Sequence, residues 1–347
     1  MHTSHLDERQ KDVLRSVIQL HIATGEPVGS ESLARHLNRT MSSATLRNVM
    51  AELEKLGYLD HPHTSAGRMP TDEGYRVFVD SLMSHQPLAR GEAAAIESEL
   101  RPRDGSPSQV MEQASQLLSR LSRNVGFVLV PDTSRTALRH IDLVKLPHPR
   151  ILAVVVSRTG LVTHRVIEVE DDIGQEQLQE CANYLNANFS GLSLDAIRER
   201  LVEMMRAEKA LYDSLLQKVV SVGSRAFDLV DDGANVYLGG ASNMLDRPEF
   251  EDLGRMRALF KTFEEKGRLV RILNACLSDG LRVFIGHEVP DPELQDLSLV
   301  TASYAVDGEK GWGLGVLGST RMEYGRIVSV VDHVARVVAQ ALQEMHR

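Results

Sequence analysis

Two side chains that can read DNA bases stand next to each other near the start of the chain. Arg47 matches guanine and Asn48 matches adenine in the major groove, and each good pair gives about 1–3 kcal/mol of discrimination. The hydroxyl side chains of Ser42, Ser43 and Thr45 precede them and can donate to phosphate or cap a helix. The sequence therefore predicts a base-reading tip here, and Ser43 is also the plausible helix cap.

A helix is predicted to position this tip. Apolar residues recur at helical spacing from about Ser43 to Leu56, and Gly57 is a plausible end. The polar residues of the first turns lie off this apolar stripe and should face outward. A polar, turn-rich segment with Arg68 in its middle follows. Arg68 is either a phosphate or minor-groove contact or a solvated loop arginine.

The neighbouring elements have the order of a winged helix-turn-helix. Residues 6–23 form an amphipathic helical pattern, and a short helix is predicted from Ser30 to Leu37. The turn before the third helix spans Asn38 to Ser42, and a closing helix is predicted from Thr71 to Met83. The alternative is a small helical domain that does not bind nucleic acid.

The charge argues against a general nucleic-acid binder. The whole chain has a net charge of −9, and residues 1–83 contain nine Lys and Arg against eleven Asp and Glu. Affinity for DNA depends largely on neutralising phosphates. From Arg35 to Arg47, however, there are three arginines and no acidic residue. Such a focal patch favours a dimeric, site-specific binder.

The pattern of apolar residues changes twice in the remainder of the chain. Residues 85–109 are predicted to be a linker with one short helical piece. β-Rich runs begin at Val125, helical patterns return over residues 175–229, and further strands precede a last helix over 324–345. Strands split by a helical block indicate one α+β domain with an insertion.

The chain resembles the heat-inducible transcription repressors of the HrcA family. The resemblance is strongest in the N-terminal region, continues weakly through the middle and returns near the end, so it covers nearly the whole length. The best matching runs are Ser42–Asn48, Pro62–Asp72, Gly74–Arg76, Cys276–Tyr304 and Leu317–Tyr324. One departure is Ser319, where the family would have proline, far from the wing.

The resemblance implies a multidomain α+β fold. Its parts are an N-terminal winged helix-turn-helix and a GAF-like α+β domain that is interrupted by a mostly helical dimerising insert. The expected ranges are 1–84 for the winged helix, 85–109 for the linker, 110–170 and 235–347 for the discontinuous GAF-like domain, and 171–234 for the insert. The sequence does not fix the edges of the insert, which could start earlier.

The resemblance also implies a function. We expect a sequence-specific repressor of chaperone operons that binds an inverted-repeat operator in double-stranded DNA as a homodimer and depends on the chaperonin GroEL. Two recognition helices would enter successive major grooves, and the exposed helical stripes of the insert are candidate dimer surfaces. The expected DNA-binding residues are Ser42, Ser43, Thr45, Arg47, Asn48, His63, Thr64, Ser65 and Arg68.

Other chemistry is only weakly indicated. The run Gly313–Gly318 has the letters of a G-x-G-x-x-G motif but lies inside an apolar β-run, and Val338 stands where an acidic residue is needed. Glycines of a packed strand are the better interpretation. His61 and His63 lack a third metal ligand, and no catalytic motif is found. We therefore expect neither an enzyme nor a resident cofactor or metal.

The compartment and the remaining alternatives follow from composition. Cys181 and Cys276 lie in apolar-periodic stretches, which favours core thiols. The start of the chain lacks the layout of a signal peptide, and no apolar run approaches the ~18 residues that span a membrane, so a cytoplasmic location is expected. The main alternative function is a small-molecule-gated regulator that uses the GAF-like domain as its sensor. A third is an enzyme with an appended helix-turn-helix.

Overall fold

The computed structural model contains a small N-terminal unit, a five-stranded sheet with helices on both faces, and a separate three-stranded sheet with its own helices. The structure describes residues 6–61, 67–84, 86–101, 106–130, 137–169, 171–206, 214–227, 236–244, 253–306 and 309–345.

The helices and strands are numbered in chain order. The helices are α1 Glu8–Thr24, α2 Ser30–His36, α3 Ser43–Lys55, α4 Asp72–Val77, α5 Arg90–Leu100, α6 Pro107–Ser122, α7 Gln175–Phe189, α8 Leu194–Arg206, α9 Ser214–Phe227, α10 Leu253–Glu264, α11 Lys266–Cys276 and α12 Tyr324–Met345. The strands are β1 Leu59–Asp60, β2 Met69–Pro70, β3 Val125–Leu129, β4 Leu138–Lys145, β5 Arg150–Ser157, β6 Val162–Glu168, β7 Val236–Gly239, β8 Leu281–Ile285, β9 Leu297–Val306 and β10 Glu309–Ser319.

The first unit is a winged helix-turn-helix. Helix α1 begins at a capping box formed by Asp7 and Gln10, and it ends where Gly25 adopts a φ of 78°, a left-handed conformation that glycine tolerates. Helices α1, α2 and α3 pack on one another, and β1 pairs antiparallel with β2. The closing helix α4 continues as one π-helical turn over Phe78–Leu82. This order confirms the sequence prediction.

The second unit is an antiparallel sheet in the order β7-β3-β10-β9-β8. Residue Leu314 on β10 pairs with Val128 on one side and Ala302 on the other. Because side chains alternate across a sheet, Leu314 faces the core shared with α6 and α12, whereas Leu317 and Phe127 face the core shared with α10 and α11. The sheet is therefore covered on both faces.

The third unit has a core of its own. Strands β4, β5 and β6 form an antiparallel sheet, and helices α7, α8 and α9 cover one face of it. The sequence predicts that residues up to 170 belong to the GAF-like domain, with a mostly helical insert that could start earlier. Instead, the inward side chains of Ile141, Ala153 and Val155 are buried against the helical stripes. We propose that the insert comprises all the chain between β3 and β7.

The two ends of this insert leave neighbouring strands of the larger sheet. Strand β3 pairs antiparallel with β7, and Leu129 is the Cα partner of Val236. The insert is therefore placed at one edge of the five-stranded sheet without interrupting its hydrogen-bond ladder.

The segment predicted as a linker is a docked helix over much of its length. Side chains Ile96 and Leu100 of α5 are buried in the core that includes α6 and α12. Glu92 accepts a hydrogen bond from Arg326 at 2.8 Å. The short helical piece predicted within the linker is therefore α5, and its apolar stripe packs against the fold rather than facing solvent.

The glycine-rich run lies within β10, as the packed-strand interpretation predicted. A Cβ on Gly315 would lie 2.1 Å from the carbonyl oxygen of Val300, and one on Gly318 would lie 2.2 Å from Oδ1 of Asn124. These glycines allow close packing of the backbone.

Both cysteines are buried, which confirms the prediction of core thiols. Burial raises the pKa of Cys276 to about 11 and also raises the pKa of Cys181. Both thiols are therefore protonated and unreactive at neutral pH. Among the helices in the described part of the chain, none combines the length and the apolar character needed to cross a membrane.

Candidate nucleic-acid interface

Helix α3 buries one face and leaves its tip in solvent. The buried positions of its apolar stripe are Leu46, Val49, Met50 and Leu53. The exposed positions of its first two turns include Ala44, Arg47 and Asn48. Because α1 and α2 pack on the opposite face, Arg47 and Asn48 project away from the fold, where they could reach base edges.

The N-cap of α3 is Ser42, not Ser43. The Ser42 hydroxyl accepts a hydrogen bond from the Thr45 backbone N–H at 3.1 Å, and the two hydroxyl oxygens of Ser42 and Thr45 are 2.8 Å apart. Ser43 is the first helical residue, and its Oγ lies 3.4 Å from Oγ of Ser30 at the start of α2. The Ser43 hydroxyl therefore faces α2, and Ser42 satisfies the free N–H that a helix start leaves.

The turn between α2 and α3 places an arginine in an unusual backbone conformation. Asn38 has a φ of 50° and Arg39 a φ of 58°. The N–H of Arg39 bonds to the carbonyl of Ala34, and that of Asn38 to the carbonyl of Arg35, which is the Schellman pattern. The pattern requires a left-handed residue at Asn38, whereas Arg39 repeats that conformation although a side chain disfavours it.

Most of the exposed charge around the tip is positive, and Glu31 in the first turn of α2 is an exposed carboxylate nearby. Arg35, Arg39 and Arg47 are all exposed, and His36 is exposed beside them. Within the residues that the structure describes, Arg39 and Arg47 form no ion pair with a carboxylate. These guanidinium groups are therefore free to neutralise phosphates, which is what a focal basic patch needs.

The wing strands lie against the recognition helix through Arg68. The Nε atom of Arg68 donates to Oε2 of Glu54 on α3 at 2.7 Å, and the Arg68 side chain is 17 % exposed. The backbone of Arg68 also exchanges two hydrogen bonds with Val28, at 2.8 and 2.9 Å. A Cβ on Gly67 would lie 2.4 Å from the carbonyl carbon of Val28, so this close approach needs glycine.

The Nε atom of Arg68 is engaged by Glu54. A DNA contact through the other guanidinium N–H groups of Arg68 stays a prediction. We assign Arg68 the task of holding β2 against α3. The other predicted wing contacts, His63, Thr64 and Ser65, lie outside the described residues.

The fold and the tip of α3 together define a DNA-binding protein of the winged helix-turn-helix class. Residues 5–83 match the family model described as "Winged helix-turn-helix transcription repressor, HrcA DNA-binding", and residues 108–328 match "HrcA protein C terminal domain". The chain belongs to the HrcA family.

Curated relatives extend this result over the whole length. The chain is 40 % identical over 339 residues to the "Heat-inducible transcription repressor HrcA" of Geobacter sulfurreducens, a match that covers 97 % of this chain and 98 % of the relative. It is 38 % identical over 343 residues to the protein of the same name from Syntrophobacter fumaroxidans, covering 98 % and 99 % of the two chains.

A solved structure has the same overall fold. A crystal structure of a hypothetical protein at 2.2 Å resolution superposes with a TM-score of 0.67 at 21 % identity, covering 98 % of this chain and 99 % of that chain. At this identity the likeness concerns the fold alone, and it extends through all three units.

Proposed function

We propose that this protein is a transcriptional repressor that binds an inverted-repeat operator of chaperone genes as a homodimer in the cytoplasm. The observation that carries the proposal is the exposed tip of α3, where Arg47 and Asn48 project beside Arg35 and Arg39. The curated relatives are named heat-inducible transcription repressors, which supports the chaperone operon as the target. Dependence on the chaperonin GroEL is supported by the family resemblance.

The tip supplies the two kinds of contact that specific DNA binding needs. Phosphate contacts position a protein on the duplex, and base contacts give specificity. The exposed arginines at 35 and 39 suit phosphates, whereas Arg47 and Asn48 suit base edges. A recognition helix of thirteen residues with this tip can lie in the major groove.

Self-association is supported by a different surface from the one predicted. We had expected helical stripes of the insert to be exposed, but Leu185, Leu201 and Val222 are buried in the core of the insert itself. The exposed apolar surface is the outer face of its sheet. Val162 is 56 % exposed and Val166 is 49 % exposed.

This outer face of the sheet is continuous across its three strands. Leu152 is the Cα partner of both Val144 and Val166, and Val156 is the partner of Val162. An exposed apolar patch of neighbouring aliphatic side chains is typical of an interaction site. We infer that the outer face joins two copies of the chain, which gives an inverted repeat its two recognition helices.

Binding measurements test the proposal directly. The purified full-length protein is titrated with a chaperone-operon inverted repeat and with scrambled DNA, at about 0.15 M salt, with and without chaperonin. We expect tight binding to the repeat only, strengthened by chaperonin. Equal binding to both DNAs under both conditions would contradict the proposal and favour the small-molecule-gated alternative.

The Arg47→Ala variant tests the base contact. Loss of one good base pairing costs about 1–3 kcal/mol, so operator affinity should fall about 5- to 150-fold while binding to scrambled DNA stays nearly unchanged. Lys55→Ala is the matched control, because Lys55 is an exposed cation at the other end of the same helix. An equal loss on operator and scrambled DNA would eliminate the base-reading role of Arg47.

A further inference from the structure

The DNA-binding unit is held against the five-stranded sheet by a charged cluster on α4. The Nε atom of Arg76 donates to Oε1 of Glu288 at 2.8 Å, and its Nη2 atom donates both to Oε2 of Glu288 and to the carbonyl of Val283 at 2.7 Å. The Nη1 atom of Arg76 is 3.1 Å from Oδ1 of Asp80. The guanidinium of Arg76 thus joins α4 to β8 and to the loop that follows β8.

A second contact lies one turn earlier on α4. Oδ2 of Asp72 accepts a hydrogen bond from the backbone N–H of His287 at 3.1 Å, and it lies 2.6 Å from Nδ1 of the same residue. Gly286 has a φ of 53°, and a Cβ there would lie 1.9 Å from Oδ2 of Asp72. The loop after β8 is therefore shaped to receive this carboxylate.

The charges of this cluster support one another. Burial lowers the pKa of Arg76, but the carboxylates of Glu288 and Asp80, which accept its hydrogen bonds, together outweigh burial and hold that pKa above its ordinary value. Glu288 also accepts a hydrogen bond from the backbone N–H of Ile285 at 2.9 Å, and this bond helps to hold its carboxylate in place for Arg76. We call the four side chains of Asp72, Arg76, His287 and Glu288 the clasp.

Apolar and polar contacts outside the clasp bring the same two units together. The rings of Tyr75 and Tyr324 are both buried, with centroids 5.9 Å apart. Nη1 of Arg321 donates to the carbonyl of Ile22 at 3.0 Å, and the Arg321 guanidinium lies against Gly25 at the end of α1. The polar and aromatic contacts that attach the winged helix are therefore made by α1 and α4.

The attachment leaves the exposed tip of α3 uncovered. Arg47 and Asn48 stay exposed, and no residue of α3 belongs to the clasp. The clasp therefore does not block DNA. It fixes the direction in which α3 points relative to the sheet from which the insert departs.

We propose that the clasp sets the half-site spacing that this protein accepts, with Arg76 as the positioning residue. The proposal rests on the proposed function, because spacing matters only when two joined copies bind one operator. Half-sites that are read on one face of the duplex lie about 34–36 Å apart, or one helical turn. Two winged helices that are held rigidly in a dimer can bind half-sites at only one spacing. Two loosely tethered winged helices can bind half-sites at several spacings, but with lower affinity because they are not pre-organised.

The test compares operators of different spacing. The full-length protein and its Arg76→Ala variant are titrated with the natural inverted repeat and with a repeat widened by half a turn, about five base pairs. The ion pair of Arg120 and Glu99, 2.6 Å long and exposed, provides the matched control Arg120→Ala. His287→Ala is a milder second variant, because the His287 side chain is 80 % exposed and its loss should not threaten folding.

We expect the wild type and Arg120→Ala to prefer the natural spacing by about tenfold or more, and Arg76→Ala to reduce this preference to about threefold or less. His287→Ala should give an intermediate preference. An Arg76→Ala preference equal to that of the wild type would overturn the proposal. If the wild type itself shows no preference for any operator, the proposed function fails instead.

A measurement without DNA separates these two failures. Spin labels at Glu31→Cys on α2 and Glu344→Cys on α12 report the distance between the winged helix and the sheet within one copy, when the labelled protein is mixed with an excess of unlabelled wild type; both native cysteines are buried. We expect one narrow distance distribution in the wild type and a broader one in Arg76→Ala, in which the shared apolar contacts keep the two units together without fixing the angle between them. Equally narrow distributions in the two proteins would contradict the clasp.

Discussion

Arg39 combines two properties that rarely occur together at one residue. Its φ of 58° is in the left-handed region, which costs a residue with a side chain on the order of 1–3 kcal/mol. Its guanidinium is exposed at the foot of the recognition helix. The conformation is needed to lead the chain into the Ser42 cap, and glycine would adopt it more easily. The arginine therefore serves something other than the turn.

We predict that Arg39→Gly weakens DNA binding without lowering the free energy of unfolding. Removing the strained side chain should leave the free energy of unfolding unchanged or raise it by up to about 1 kcal/mol, after the entropy cost of glycine in the unfolded chain. Loss of one phosphate contact should weaken binding to operator and scrambled DNA alike, and reduce the slope of log K against log salt by about 0.9. Chemical denaturation and salt-dependent titrations measure the two effects.

Arg123 provides the matched control for this variant. It also has a left-handed backbone, with a φ of 54°, and it follows α6 rather than the recognition helix. Arg123→Gly should therefore leave DNA binding as it was. A loss of DNA affinity in Arg123→Gly equal to that in Arg39→Gly would show that the effect is not local to the tip.

At the scale of elements, the wing and the recognition helix behave as one part. The Arg68–Glu54 ion pair joins β2 to α3, and the Val28 bridge joins the wing to the segment before α2. Both ion-pair partners are partly buried, so the pair is less screened than a surface pair. The position of β2 is thus determined by the same helix that carries Arg47.

A double-mutant cycle tests this assignment of Arg68. If the residue holds the wing, Arg68→Ala and Glu54→Ala should each lower the free energy of unfolding, and the double variant should cost less than their sum by roughly 0.5–3 kcal/mol. Both single variants should also weaken operator binding. If Arg68 instead contacts phosphate, Glu54→Ala would release it and strengthen DNA binding, contrary to our expectation.

Strongly periodic elements could be predicted from the sequence almost residue by residue. The helix Tyr324–Met345 has the predicted bounds, because it carries a long, uninterrupted apolar period. Helix α11 was missed, although its apolar residues recur at helical spacing. The exposed tip of α3 followed from the same periodicity, since the polar residues lay off its stripe.

The remaining features depend on contacts that no local pattern encodes. Alternation of apolar residues identifies β4 as a strand but does not say which sheet it joins. In the structure, residues 138–168 form a sheet separate from the five-stranded one, and we therefore place them in the insert. The partner of Arg76 is 212 residues away in the chain, and the partner of Arg68 is 14 residues away on another element. Ser42 and Ser43 offer the same hydroxyl, and only the backbone geometry decides which one caps α3.

At the scale of the whole molecule, the winged helix and the five-stranded sheet share one apolar core. Residues of α1, α3 and α4 belong to the same buried cluster as residues of α5, α6, α12 and β10, whereas the insert has a cluster of its own. We therefore expect the winged helix and the five-stranded sheet to unfold together, and the insert to unfold separately.

Self-association should depend on the outer face of the insert sheet. We predict that Val166→Asp weakens association of two copies by at least about tenfold, because an unpaired carboxylate would be buried between them. Val166→Thr keeps the β-branched shape and should have a much smaller effect. Sedimentation velocity over a range of concentrations measures the change, and an unaltered dissociation constant in Val166→Asp would exclude this face as the interface.

The pairing of β3 with β7 has a consequence for how this architecture could arise. Leu129 lies opposite Val236, so the insert occupies the position of a hairpin loop between two neighbouring strands of the five-stranded sheet. Lengthening a loop is thermodynamically inexpensive, at about 0.6 kcal/mol per doubling, and a segment with its own core brings its own stability. A segment with its own core can therefore be gained, exchanged or lost in one genetic event without changing the winged helix.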